Sequence, residues 1–225
     1  MAGFKAQVYR SGASAALGAV AQVERCPTCG ADLPRGFRFC GQCGRALAAT
    51  LAPIPGDVVT IAFIDLVGFS TFASRVSEDE VREVIRVFHW LVREQVARHG
   101  GFEVKQLGDG FMLAFSSPAR AVACATDILR VTATREVGTG LPASVRVCAG
   151  LSSGDAIREG DDFFGHTVNV ASRIASRAAG GQLLVSEATR SLAGSMDGLS
   201  FVEFGRRQLR GIQGRHRLYE VVWRE

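Results

Sequence analysis

No stretch of the 225 residues approaches the ~20 consecutive apolar positions of a membrane span. Met1 to Val23 lacks the continuous apolar block of a secretory signal and is rich in Ala, Gly and Ser. A flexible tail over residues 1–25, with a short helix at Ala13–Val23, and a cytoplasmic location are therefore expected. Strong charge of one sign is also missing. The net charge of +4 permits an anionic ligand without requiring nucleic acid. With 47% hydrophobic and 21% charged residues, the composition is that of a globular protein and excludes a disordered one. The length fits one full domain and a small appendage.

Six cysteines remain, and they fall into two groups. Cys124 and Cys148 sit singly among apolar neighbours and read as buried, inert thiols. Cys26-Pro-Thr-Cys29-Gly and Cys40-Gly-Gln-Cys43-Gly are a pair of Cys-x-x-Cys knuckles. Four thiolates converging on one ion give the closed tetrahedral shell of a structural zinc site, with no open position for catalysis. Two disulfides or a redox pair would be the alternative, which the doubled spacing and the expected compartment disfavour. The segment 26–47 is similar to the small zinc ribbons of many bacterial regulatory proteins. Its few arginines (Arg25, Arg35, Arg38, Arg45) are weak evidence for nucleic acid, and a bland spacer or a protein-contact module fits at least as well. Residues 48–56, with two prolines, read as a linker.

From residue 57 the pattern alternates strands and helices. Val58–Asp65 is an apolar strand closed by a carboxylate. Ser77-Glu-Asp-Glu80 is a capping box that starts a helix with Val81, Val84, Ile85, Phe88 and Val92 at helical spacing. Gly100-Gly101 ends it. His89 and His99 on this stretch receive no role. Phe102–Phe115 is a hairpin about Gly108-Asp109-Gly110. Pro118 opens a second helix whose core face is Val122, Ala125 and Ile128 or Leu129. Gly138 to Pro142 is a loop, and Val145–Leu151 is a buried strand. A helix holding Asn169 and Arg173 on one face should run to Gly180-Gly181. Then come a strand at Gln182–Val185, a helix capped by Ser186, and strands at Phe201–Phe204 and Leu218–Val222. Arg206, Arg207, Arg210, Arg215 and Arg217 read mostly as a solvated face.

The order β-α-β-β-α-β is the split βαβ, ferredoxin-like arrangement, an α+β fold, here with a C-terminal α/β extension. Its crossovers make the first strand parallel to the first hairpin strand, with the second hairpin strand between them. The end of the first strand and the hairpin turn then share one edge. Asp65 and Asp109 become neighbours there, a pair of hard ligands suited to Mg²⁺ or Mn²⁺. Two ordinary surface aspartates would be the bland alternative.

Phe63-Ile-Asp-Leu-Val-Gly-Phe-Ser70, Lys105-Gln-Leu-Gly-Asp-Gly110 and Asp162-Phe-Phe-Gly-His-Thr-Val-Asn-Val-Ala-Ser-Arg173 occur in that order. Together they resemble the class III nucleotidyl cyclase domain, over residues 57–225. The resemblance implies a cyclase that turns a nucleoside triphosphate into a 3′,5′-cyclic nucleotide and pyrophosphate. Asp65, Asp109 and the Leu66 carbonyl would hold two metal ions. Asn169 would orient the ribose, and Arg173 would neutralise charge at the α-phosphate. Arg217 matches the position of a basic residue that would grip the terminal phosphates, and Arg158, in a loop that is short here, is the candidate for a further phosphate-binding arginine. Lys105 only donates and ionised Asp162 only accepts, which fits adenine N1 and its exocyclic amine. ATP is the implied substrate, with GTP as the alternative. The family places its site between two catalytic domains, and this chain carries both halves once, so a homodimer is implied. A protein that binds nucleotide without turnover is the reading from another class. The Gly-Gly-Asp-Glu-Phe turn of cyclases that condense two GTP molecules is absent.

Overall fold

The computed structural model describes residues 24–26, 29–33, 40, 58–133, 141–142 and 144–224. The expected helix at Ala13–Val23, the linker, Cys43 and most of the 138–142 loop lie outside these residues. Glu24–Arg25, assigned above to the tail, already forms β1, which pairs antiparallel with β2 (Asp32–Leu33).

The rest is built on one seven-stranded sheet. Along the chain come β3 (Val59–Val67), α1 (Phe69–Ala73), α2 (Glu78–Arg98), β4 (Phe102–Leu107), β5 (Gly110–Phe115) and α3 (Pro118–Ala133). They are followed by β6 (Arg146–Gly154), β7 (Ile157–Glu159), β8 (Asp162–Phe164) and α4 (His166–Ala175). The chain ends with β9 (Leu183–Ser186), α5 (Glu187–Ala193), β10 (Ser200–Gln208) and β11 (Arg215–Val222). The sheet order is β10-β11-β9-β6-β3-β5-β4. Within it, β6-β3-β5-β4 is the antiparallel core of the ferredoxin-like arrangement, and β9 joins β6 in parallel. β7 and β8 form a separate hairpin.

Local chemistry accounts for the main elements. The Ser77 side chain accepts from the Glu80 N–H while Glu80 reaches back to the Ser77 N–H at 3.0 Å, the expected capping box. Pro118 stands first in α3, and Val122, Ala125, Ile128 and Leu129 are its buried face. Two boundaries differ from expectation. β3 runs past Asp65 to Val67, because β6 goes on pairing with it through Val67 and supplies the hydrogen bonds. α4 stops at Ala175, well before Gly180, where Ser176, Arg177 and Ala178 close its end with turn hydrogen bonds.

The sheet has two differently covered faces. Ala62, Ile64 and Leu66 of β3 pack with Phe88, Val92 and Val96 of α2 and with α3. Val59 and Ile61 pack on the other face with Phe163 of β8 and Ala171 of α4. This alternation is the period of two expected of a strand buried on both sides. α4 lies close to the sheet because β6 carries glycine beneath it: a Cβ on Gly150 would stand 2.1 Å from the Ala175 nitrogen.

Candidate active site

β3 and the β4–β5 hairpin bring the two aspartates together. Ile64 pairs with Phe111, and the two-residue turn Gly108–Asp109 precedes Gly110 at once. Gly108 takes φ 63°, the left-handed conformation that a turn of this length favours in glycine. Gly110 lies tight against the end of β3. A Cβ there would stand 2.8 Å from the Ile64 carbonyl oxygen and 3.0 Å from Asp65 Oδ1. Asp65 Oδ1 accepts the Leu66 N–H at 2.9 Å. Partial burial and then repulsion by Asp109 raise the Asp65 carboxyl above its ordinary range, against the lowering effect of that hydrogen bond. Among the described residues no basic side chain pairs with either carboxylate. Two hard, uncompensated oxygen donors fit a divalent cation of the Mg²⁺ or Mn²⁺ kind. Cys148 faces Asp65 across β3–β6, and its buried thiol is pushed up to about 12 by burial and by Asp65, so it stays protonated. Cys124 is buried and raised likewise.

A second pair forms on the α4 side of the sheet. Lys105 Nζ donates to Asp162 Oδ2 at 2.6 Å and lies 5.6 Å from the centre of the Phe164 ring. Asp162 Oδ1 accepts the Phe163 N–H at 2.8 Å. The Lys105 hydrogen bond, aided by that N–H, holds the Asp162 carboxyl below the usual carboxylate range.

Asn169 and Arg173 lie on the exposed face of α4, opposite buried Val170, Ala171 and Ile174. Among the described residues neither side chain has a hydrogen-bond or ion-pair partner. The two remaining arginines are engaged elsewhere. Arg217 Nη1 donates to Glu187 Oε1 of α5 at 3.1 Å, and its Nε is 3.7 Å from Glu203. Its neighbour Leu218 packs with α4, so Arg217 faces the other side of the sheet from Asn169 and Arg173. Arg158 donates to the Gly160 carbonyl at 2.8 Å and lies 3.5 Å from Asp161, both in the turn between β7 and β8.

The two histidines of the α2 region are structural. His89 is buried edge-on to Phe111, and burial lowers its pKa to about 4, so the ring is neutral. His99 pairs with Asp127 at 3.0 Å. Arg93 and Glu103, which the sequence did not single out, form a mostly shielded bidentate pair behind Lys105. A helix arginine and a strand glutamate ten residues apart carry no local signal of such a contact.

In the N-terminal segment the sulfurs of Cys26, Cys29 and Cys40 lie within 4.8 Å of one another. Cys29 and Cys40 are 3.5 Å apart, beyond the ~2.05 Å of a disulfide bond. Gly30, at φ 72°, turns the chain behind the first knuckle, and its N–H bonds the Cys26 carbonyl at 2.9 Å. The thiol cluster fits the zinc expected from the spacing.

Residues 52–222 match the family model for the adenylate and guanylate cyclase catalytic domain. The chain belongs to that family. Residues 25–47 ahead of the cyclase domain match the zinc-ribbon model. A pH-sensitive adenylate cyclase of Mycobacterium tuberculosis is 35% identical over 173 residues, covering 75% of this chain and 42% of the relative. An uncharacterised protein of the same species is 32% identical over 59% of this chain and 33% of its own length. The chain thus spans less than half the length of these curated relatives. Among solved structures, an adenylate cyclase of Trypanosoma brucei in its monomeric state shares 25% identity, with TM-score 0.66 over 75% of this chain and 89% of that one. The catalytic core of a rhodopsin-guanylyl cyclase with converted specificity, in complex with ATPαS, also shares 25% identity at TM-score 0.66, over 74% and 96% of the chains. The fold is the mixed α+β cyclase fold. Among the described residues no helix is long and apolar enough to cross a membrane.

Proposed function

We propose that the chain is an adenylate cyclase that converts ATP to 3′,5′-cyclic AMP and pyrophosphate. The carrying observation is the Lys105–Asp162 pair at 2.6 Å. Adenine offers an acceptor at N1 and a donor at its amine, matching a lysine that donates and a carboxylate that accepts. Guanine reverses both groups and would leave each protein group against a like partner. Asp162 stays ionised at neutral pH, as this requires.

Asp65, Asp109 and the Leu66 carbonyl would hold two Mg²⁺ or Mn²⁺ ions. Bound there, the ions supply activation of the ribose 3′-hydroxyl and charge neutralisation on the triphosphate. The chain's own residues position the reaction. Asn169 orients the ribose. Arg173, permanently charged, stabilises the negative charge that grows on the α-phosphate during in-line attack. Arg158 would bind the phosphates after exchanging its Gly160 and Asp161 contacts for phosphate oxygens, and Arg217 would reach the terminal phosphates only by leaving Glu187 and Glu203 on the α5 face of the sheet.

Two copies would form the site, with the aspartates from one and Lys105, Asp162, Asn169 and Arg173 from the other. Support comes from the unpartnered polar face of α4. Leu107, Ile157 and Phe164, exposed by 45%, 64% and 44%, add apolar surface near Lys105 and Asp162. In this reading residues 57–225 are the catalytic unit. Residues 26–47, joined by a linker at 48–56, are a zinc module in which Cys43 is the fourth ligand and which serves as a protein contact. Signalling through cyclic AMP inside the cytoplasm is the corresponding role.

The test is product formation by the purified chain, with ATP and GTP in parallel and Mg²⁺ or Mn²⁺ supplied. Cyclic AMP that disappears in Asp109→Ala supports the proposal. A GTP rate above the ATP rate would reverse the base assignment.

A further inference from the structure

The direction in which Lys105 points is decided by a β-bulge. Glu103 pairs with Leu113 and Lys105 with Met112, so Val104 is an extra residue in β4. Leu113 belongs to the cluster under α2 and α3, while Met112 belongs to the cluster under α4. Glu103 therefore faces α2, and Lys105 faces β8 and Asp162. In a regular strand residues 103 and 105 would share a face. Lys105 would then point at α2, away from Asp162.

What anchors the bulge lies on the α2 side. Arg93 of α2 donates Nε and Nη2 to the two carboxylate oxygens of Glu103, both at 2.8 Å. The side chains are only 14% and 22% exposed. The guanidinium also stands 5.3 Å from the centre of the Phe111 ring, whose residue pairs with Gln106 just past the bulge. A fork-on-fork pair is geometrically specific, and a shielded one resists loss of either partner. It fixes which face Glu103 takes, immediately before the extra residue.

We infer that Arg93 and Glu103 are positioning residues for base recognition: their ion pair fixes the β4 bulge, and the bulge aims Lys105 at Asp162. The inference rests on the reading that Lys105 and Asp162 bind the base. It makes α2, which carries none of the residues proposed to touch substrate, a determinant of nucleotide choice.

The experiment is a double-mutant cycle on the full chain, using wild type, Glu103→Gln, Lys105→Ala and the double variant. The readout is the ratio of kcat/KM for ATP to that for GTP. Glu103→Gln leaves the Arg93 contact with Gln106 available, removes the charge of the pair and replaces one of its two acceptor oxygens by a donor, so the fork is broken with little change of volume. It should lower the ratio about tenfold by misplacing Lys105, and change it less than about twofold where Lys105 is already alanine. An ion pair that merely stabilises the fold would lower the thermal midpoint equally in both backgrounds and leave the ratio alone. An unchanged ratio in Glu103→Gln, or an equal drop in the Lys105→Ala background, overturns the clamp while leaving base reading by Lys105 intact. A Lys105→Ala ratio equal to wild type overturns base reading itself, and the clamp with it. Calorimetric binding of a non-cyclising ATP analogue gives the same cycle without turnover. Glu103→Asp, which keeps the charge but shortens its reach, serves if the glutamine variant does not fold.

Discussion

The cyclase domain holds two carboxylate centres in opposite electrostatic states. At the sheet edge, partial burial and, after it, repulsion by Asp109 raise the Asp65 carboxyl. On the α4 side, Asp162 has a lysine and a backbone N–H, so its carboxyl is lowered. The first centre carries charge that the described residues leave uncompensated, and a cation would complete it. The second is complete as it stands, and a ligand must insert into a satisfied pair. Under the proposed function, the first centre would recruit an ion and the second would discriminate among partners by what they offer in exchange.

The comparison breaks most sharply at the first centre. Asp109→Ala should reduce turnover about a thousandfold or more while the thermal transition persists. A rate within a few-fold of wild type, measured as cyclic nucleotide formed, would remove the aspartates from the metal role. At the second centre the expected effect is smaller and selective. Lys105→Ala or Asp162→Asn should narrow the preference for ATP over GTP by about tenfold or more and leave the metal dependence of the rate unchanged. Kinetics with both nucleotides across a metal titration would separate the two.

Stability measurements sharpen the contrast further. The folded Asp65 carboxyl titrates above its unfolded value, so in metal-free buffer its charge costs stability once the pH exceeds that range. Asp65→Asn should therefore raise the thermal midpoint in chelator at neutral pH. Its advantage should shrink as pH falls through the carboxylate range, where wild type also becomes neutral. Asp162 has the opposite sign. Its contribution is present above the ordinary carboxylate value and fades as pH falls through its lowered value, so Asp162→Asn should never raise the midpoint at neutral pH. Melting curves with chelator at several pH values would expose a failure of either sign. The smallest effect on the catalytic domain is expected from the ribbon. Its described core is Cys26, Cys40 and the adjoining Ala31. Cys26→Ser should abolish zinc content, read by elemental analysis, and leave the melting of the cyclase domain in place. A coupled loss of activity would make the ribbon a control element.

Much of this was legible beforehand, and for identifiable reasons. The capping box at Ser77 and the proline that opens α3 act within a few residues. The glycine turn at Gly108 acts equally locally, and such signals survive translation into structure. The meeting of Asp65 with Asp109 needed only strand order and crossover handedness, because a two-residue turn leaves the hairpin little freedom. Elsewhere the outcome depended on distant backbone. β3 continues past Asp65 because β6 keeps offering hydrogen bonds. α4 ends at Ala175 although the next glycines lie further on. Arg217 faces α5 rather than α4, since strand parity at β11 is set by its pairing with β9 and β10.

By itself the amino-acid sequence determined the order of elements, the cysteine knuckles, the donors and acceptors available to a base, and the edge at which two carboxylates would meet. Each depends on residue chemistry or on chain connectivity, which are properties of the sequence as written. Only the tertiary structure decided that Lys105 reaches Asp162. That depends on one extra residue in β4, held by an arginine on a different element, and a one-residue shift in register moves a side chain to the other face of a sheet.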